Sequence, residues 1–173
     1  MTGSSTVFFS HGKESGPWGT KITALAAIAS ERKFGVESID YTDLPDPDDR
    51  VARLLDRVSR SGCRSPILVG SSMGAYVATV ASENIRPAGL FLMAPALYLS
   101  GYACHKPVPC CVKTVIVHGW NDDIVPPGNS IRFAQEHQVE LHLVRGDHQL
   151  SGNLLFVGDL FALFLKSLYC SSG

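Results

Sequence analysis

The chain has 173 residues, 45% hydrophobic and 18% charged, with a formal net charge of -1. That length suits one domain of the usual ~100–200 residues, read here as 1–173, with enough apolar material for a sizeable core. With no run of Lys or Arg, the near-neutral balance argues against nucleic acid or an anionic membrane surface as partner.

The first six residues, Met-Thr-Gly-Ser-Ser-Thr, lack the basic start and apolar core of a signal peptide, so a cytoplasmic location is expected. Residues 5–10 form a short β-favouring apolar run that ends at the Gly/Pro loop His11-Gly12-Lys13-Glu14-Ser15-Gly16-Pro17. Ile22, Leu25, Ala26 and Ala29 then make one helical stripe, with Gly35 placed to end that helix. A second strand is expected over 36–41. Asp46-Pro47-Asp48-Asp49 reads as an N-cap, a proline at the first helical position and acids in the first turn. Val51, Leu54, Leu55 and Val58 supply the apolar stripe of that second helix. Arg50, Arg53, Arg57 and Arg60 are expected on its solvated face.

A third strand over 66–70 runs into Gly70-Ser71-Ser72-Met73-Gly74, followed by an Ala-rich helical pattern over 73–82. This is G-x-S-x-G between a strand and a helix, the context in which a serine is raised on a tight, strained turn. Gly70 and Gly74 leave room for that turn. The backbone N–H of Met73, at the start of the helix, is free of intrahelical bonds and can stabilise an anion. Strands are expected over 88–93, 114–117 and 139–144, a helix over 130–136, and a long core helix rather than a membrane span at 154–168. Strand–helix alternation of this kind gives an α/β fold: a six-stranded, mostly parallel sheet with helices on both faces. The five cysteines lack paired C-x-x-C spacing and read as free thiols, with no metal site.

In such sheets ligands bind at the carboxyl ends of the strands, where the Gly, His, Asp and Ser clusters fall. A serine needs a base to take its proton. His11, His105 and His118 come too early for the Ser, acid, His order of this motif, and His11 and His118 resemble loop-entry residues. His137 closes a helix and His142 lies inside a strand. His148 follows the last strand and is the candidate base for Ser72. Asp122 and Asp123 both follow the fifth strand and are open as the orienting acid. Asp147 reads as a loop cap.

The segment His118-Gly119-Trp120-Asn121-Asp122-Asp123-Ile124-Val125-Pro126 resembles the H-G-x-x-D-x-x-V-P pattern of the α/β-hydrolase superfamily, in particular its minimal serine esterases. The resemblance spans nearly the whole chain and implies Asp122 as the acid. It implies Met73 and Lys13, with Gly12 next, as oxyanion-binding backbone N–H groups. It also implies loss of the family's first two strands and of its cap domain, since Pro95 to Val112 is only 18 residues. Trp18, Met73, Leu97, Tyr98, Trp120 and Ile124 are candidates for an apolar substrate rim, Trp18, Tyr98 and Trp120 foremost. The expected activity is cofactor-free hydrolysis of small carboxylic esters or thioesters with short or exposed acyl groups. The alternative is a non-catalytic binding relative, whose mark would be a damaged triad.

Overall fold

A computed structural model describes residues 5–170. Strands β1 (Thr6–Ser10), β2 (Gly35–Ile39), β3 (Ile67–Ser71), β4 (Gly89–Met93), β5 (Lys113–Gly119) and β6 (Glu140–Val144) lie in one sheet. Helices α1 (Thr20–Glu31), α2 (Pro47–Ser61), α3 (Met73–Ile85), α4 (Pro127–His137) and α5 (Leu154–Cys170) connect and close it. The order is β2-β1-β3-β4-β5-β6, and every neighbouring pair is parallel. The chain therefore moves outward from β1 to β2, then reverses to β3 on the other side. That places a topological switch point between the carboxyl ends of β1 and β3.

Side chains alternate across the pleat. Val7, Phe9, Ile67, Val69, Phe91 and Val115 pack toward α1 and α5, and Phe8, Leu68, Leu90, Leu92 and Ile116 toward the layer of α2, α3 and α4. Burial on both faces explains why the central strands read as continuous apolar runs. The stretch Ser151–Leu168 is long and apolar enough to cross a membrane by length and composition. In this fold Val157, Phe161, Phe164 and Leu165 belong to the core, while Leu155 and Leu163 stay exposed.

Asp46 caps α2 as expected: its side chain accepts from the N–H groups of Asp48 and Asp49, with Pro47 at the first helical position. Three expectations differ from what is seen. Gly35 does not end α1; the helix stops at Glu31, Lys33 takes the left-handed turn, and Gly35 opens β2 against the Thr6 side chain. His118 lies within β5, which runs two residues further than expected. Arg50 is not solvated but 2% exposed. Its guanidinium turns inward to the carbonyls of Leu44, His11 and Gly12 and lies over the Tyr41 ring. Helical spacing put it with Arg53, Arg57 and Arg60, which do pair at the surface with Asp43, Glu37 and Asp56.

Candidate active site

The elbow at the end of β3 is built by two close approaches. A Cβ on Gly70 would sit 2.5 Å from the Ala75 nitrogen, and one on Gly74 would overlap the Ser10 carbonyl and lie 2.7 Å from the His11 oxygen. Only glycine lets α3 start this tightly against β3 and the end of β1. Ser72 itself has φ 54° and ψ -118°, a conformation that L side chains rarely adopt and that functional sites retain. Its backbone is locked from both sides: the N–H donates to Met93 O at 2.9 Å, and the carbonyl accepts from Ala96 N at 3.1 Å.

Three side chains, distant in sequence, meet here. His148 Nε2 is 3.0 Å from Ser72 Oγ, and His148 Nδ1 is 2.7 Å from Asp122 Oδ2. Because a carboxylate only accepts, Nδ1 carries the hydrogen and the Nε2 lone pair faces the serine hydroxyl. Asp122 is buried, and its other oxygen accepts from the N–H groups of Ile124 and Val125 at 2.9 and 2.8 Å. Burial alone would raise its pKa. The donors of Val125, His148 and Ile124 outweigh that and hold it below the ordinary carboxylate value. The two loops are laced together: Trp120 N donates to Val144 O and Asn121 N to Gly146 O, at 2.8 and 2.9 Å. Asp123 is exposed, and Asp147 Oδ1 accepts from Leu150 N, the loop-capping role expected of it.

His118 is a site residue that the sequence did not expose. Fully buried, it places Nε2 2.8 Å from Asp122 Oδ2 and 3.1 Å from Val125 O. Both partners are acceptors, so Nε2 carries the hydrogen and Nδ1 accepts from the Ser130 hydroxyl at 2.7 Å. Burial lowers its pKa and favours this neutral form. Asp122 thus holds four donors, two of them histidines. The clue in the sequence is the four-residue step from His118 to Asp122, which by itself looks like no more than a loop entry.

Above Ser72 lies the loop after β1. A Cβ on Gly12 would stand 3.5 Å from the Ser72 Cβ. Two buried groups fix this loop. His11 Nδ1–H donates to Gly12 O at 2.7 Å while its Nε2 accepts from Tyr41 N at 3.0 Å, and Arg50 Nη1 donates to both His11 O and Gly12 O at 3.3 Å. Gly12, Lys13 and Met73 line a cleft of about 550 Å³ with Ser72 and His148. Among the described residues no acceptor takes the N–H of Met73 or Lys13.

The expected rim is largely elsewhere. Met73 and Ile124 line the cleft, but Trp18, Tyr98 and Trp120 do not. Trp18 and Trp120 are 56% and 55% exposed outside it. The Tyr98 hydroxyl donates to Glu136, and its ring packs on Phe133 beneath the Arg132 guanidinium. Leu97 is buried in the core. The cleft walls are instead Lys21 and Ile22 from α1, Leu99 and Tyr102 from the 95–112 connection, and Leu154 from α5. Among the described residues no helix occurs in that connection, so no cap stands over the site.

The model of an uncharacterised protein family, UPF0227, matches residues 6–103. A protein from Xanthomonas campestris pv. campestris, assigned to the alpha/beta hydrolase superfamily, is 32% identical. The match has a TM-score of 0.83 over 95% of this chain and 99% of that one. Est1E from Butyrivibrio proteoclasticus is 16% identical, with a TM-score of 0.79 over 96% and 88% of the two chains. Mouse alpha/beta hydrolase domain-containing protein 10 is 17% identical, with a TM-score of 0.73 over 93% and 90%. The last two likenesses concern the fold. No curated protein matches the chain.

Proposed function

Because the chain belongs to the α/β-hydrolase superfamily, within the uncharacterised family UPF0227, we propose that it is a serine hydrolase cleaving carboxylic esters or thioesters. The observation that carries this reading is the unbroken hydrogen-bonded series Ser72–His148–Asp122, 3.0 and 2.7 Å long at its two links. In it, Ser72 Oγ attacks the substrate carbonyl carbon while its proton passes to His148 Nε2. The imidazolium so formed is stabilised by Asp122, already ionised and fixed. The oxyanion takes the N–H groups of Met73 and Lys13, backbone donors of the cleft lining that no other acceptor among the described residues occupies. Collapse expels the alcohol or thiol, which leaves with the proton from Nε2. A water then repeats the sequence on the acyl-enzyme and frees the acid.

His118 acts through Asp122 as a positioning residue, holding the carboxylate toward His148 much as outer partners hold a ligating group. His11 and Arg50 do the same for the loop that carries Lys13. The uncapped cleft favours short or exposed acyl groups, and the reading is of a cytoplasmic enzyme whose partner is a small molecule. A panel of nitrophenyl esters and acyl thioesters of rising chain length tests it. Turnover should be greatest for short acyl chains and vanish in Ser72→Ala with the circular dichroism spectrum unchanged. Undiminished turnover in that variant would remove Ser72 from the chemistry.

A further inference from the structure

Lys21 lies in the first turn of α1 and is one of the residues that line the same cleft as Ser72 and His148. It is partly buried, and burial is the main influence lowering its pKa. An ammonium withdrawn from water is costly unless a charge or hydrogen bond compensates it. Among the described residues, however, no carboxylate comes within 4.0 Å of it. Asp147 and Asp122 act on it only from a distance. Both are engaged elsewhere, Asp122 with two histidines and two N–H groups and Asp147 with Leu150 N. The remaining charged groups of the cleft wall are Lys13, a second cation, and Glu14, both exposed. Ile22, Met73, Leu99, Ile124 and Leu154 give the cleft an apolar wall, beside the uncharged polar Ser15, Thr20, Tyr102, Gln149 and Ser151. A partly dehydrated cation without a close carboxylate, in a cleft that pairs an apolar wall with the nucleophile, suits a ligand with an apolar body and one anionic group.

We propose that Lys21 is the anion-binding residue of the substrate cleft, and that the preferred substrates are esters or thioesters bearing a carboxylate. This deepens the hydrolase reading and rests on it. A substrate carboxylate would supply the close counter-charge that the protein withholds and would anchor the reacting carbonyl over Ser72. A charge-assisted contact of this kind corresponds to a preference of about 10–100-fold in kcat/KM.

The test compares matched pairs of esters. With the charge on the leaving group, 4-acetoxybenzoate is set against methyl 4-acetoxybenzoate; with the charge on the acyl group, monophenyl adipate is set against phenyl methyl adipate. The protein should favour the anion in at least one pair by about 10–100-fold, through KM, and added salt should reduce the ratio. In Lys21→Met that ratio should fall to about 1, and Lys21→Arg should restore part of it. Calorimetric binding of monomethyl adipate to Ser72→Ala, with and without Lys21→Met, reads the subsite without turnover. Binding lost with Lys21 in a protein that hydrolyses none of the esters would leave the subsite standing and refute the hydrolase reading. Ratios near 1 in the unmodified protein, or equal loss on both members of each pair in Lys21→Met, would overturn the proposal.

Discussion

Gly74→Ala is the sharpest probe of how the elbow is made. The added methyl would overlap the Ser10 carbonyl and stand 2.7 Å from the His11 oxygen. Both obstacles are backbone, one in β1 and one in the loop pinned by His11 and Arg50, so neither swings aside as a side chain would. Restoring an ordinary carbon–oxygen separation of ~3.3–3.6 Å from the Ser10 carbonyl needs a shift of about 1.5 Å between α3 and the end of β1. Overpacking of that size costs about 1–3 kcal/mol of stability. The same shift separates Met73 from Lys13, and misplacement by 1 Å costs about 10²-fold in rate, about 2.7 kcal/mol at the transition state. The assay is kcat/KM on 4-nitrophenyl acetate alongside thermal unfolding, with Gly128→Ala as control. Gly128 is in the first turn of α4, and nothing lies within 4 Å of the place its added methyl would take, so its alanine variant should match the parent. If Gly74→Ala keeps full rate and stability, the close approach does not build the site.

His118→Ala should lower kcat on that ester about 10–100-fold with KM little changed, and His118→Gln should recover part of the loss; equal effects on both constants would mean a merely structural role. Arg50→Met takes a donor from the carbonyls of Leu44, His11 and Gly12, of which Gly12 O keeps the His11 Nδ1–H, so unfolding should come about 10 °C earlier, from a loss of roughly 3 kcal/mol; an unaltered midpoint would refute the bracing role. His11 and His118 both have pKa values lowered by burial, so the unfolded chain binds their protons more readily. Their contribution to stability is whole above the ordinary histidine pKa of ~6.5 and is lost as pH falls through the folded values. Asp122, also lowered, keeps its charge throughout that window. The unfolding midpoint should therefore hold from pH 7 to 8 and decline from 6.5 to 5; a flat profile would count against neutral buried histidines.

The alternation of apolar runs with helical stripes sufficed for the sheet, because both faces of the central strands are covered and their burial shows as composition. Gly70, Gly74, Ser72 and His148 were legible for a related reason: tight backbone approach and strand-end position leave marks at fixed local spacing. Arg50 and His118 were not, since each looks polar and surface-bound until long-range carbonyls and a carboxylate satisfy it. The cleft walls failed differently. Large aromatics attract attention in a sequence, yet Trp18 and Trp120 point to solvent. The residues that do line the cleft, Lys21, Tyr102 and Leu154, come from segments whose meeting depends on the sheet order.

Covalent labelling measures the central claim most directly. A fluorophosphonate probe should add once to the folded protein, the adduct mapping by mass spectrometry to the peptide containing Ser72, and Ser72→Ala and His148→Ala should block or greatly slow it. An unlabelled protein, or an adduct mapped to another residue, would contradict a nucleophile raised by the elbow and activated by His148.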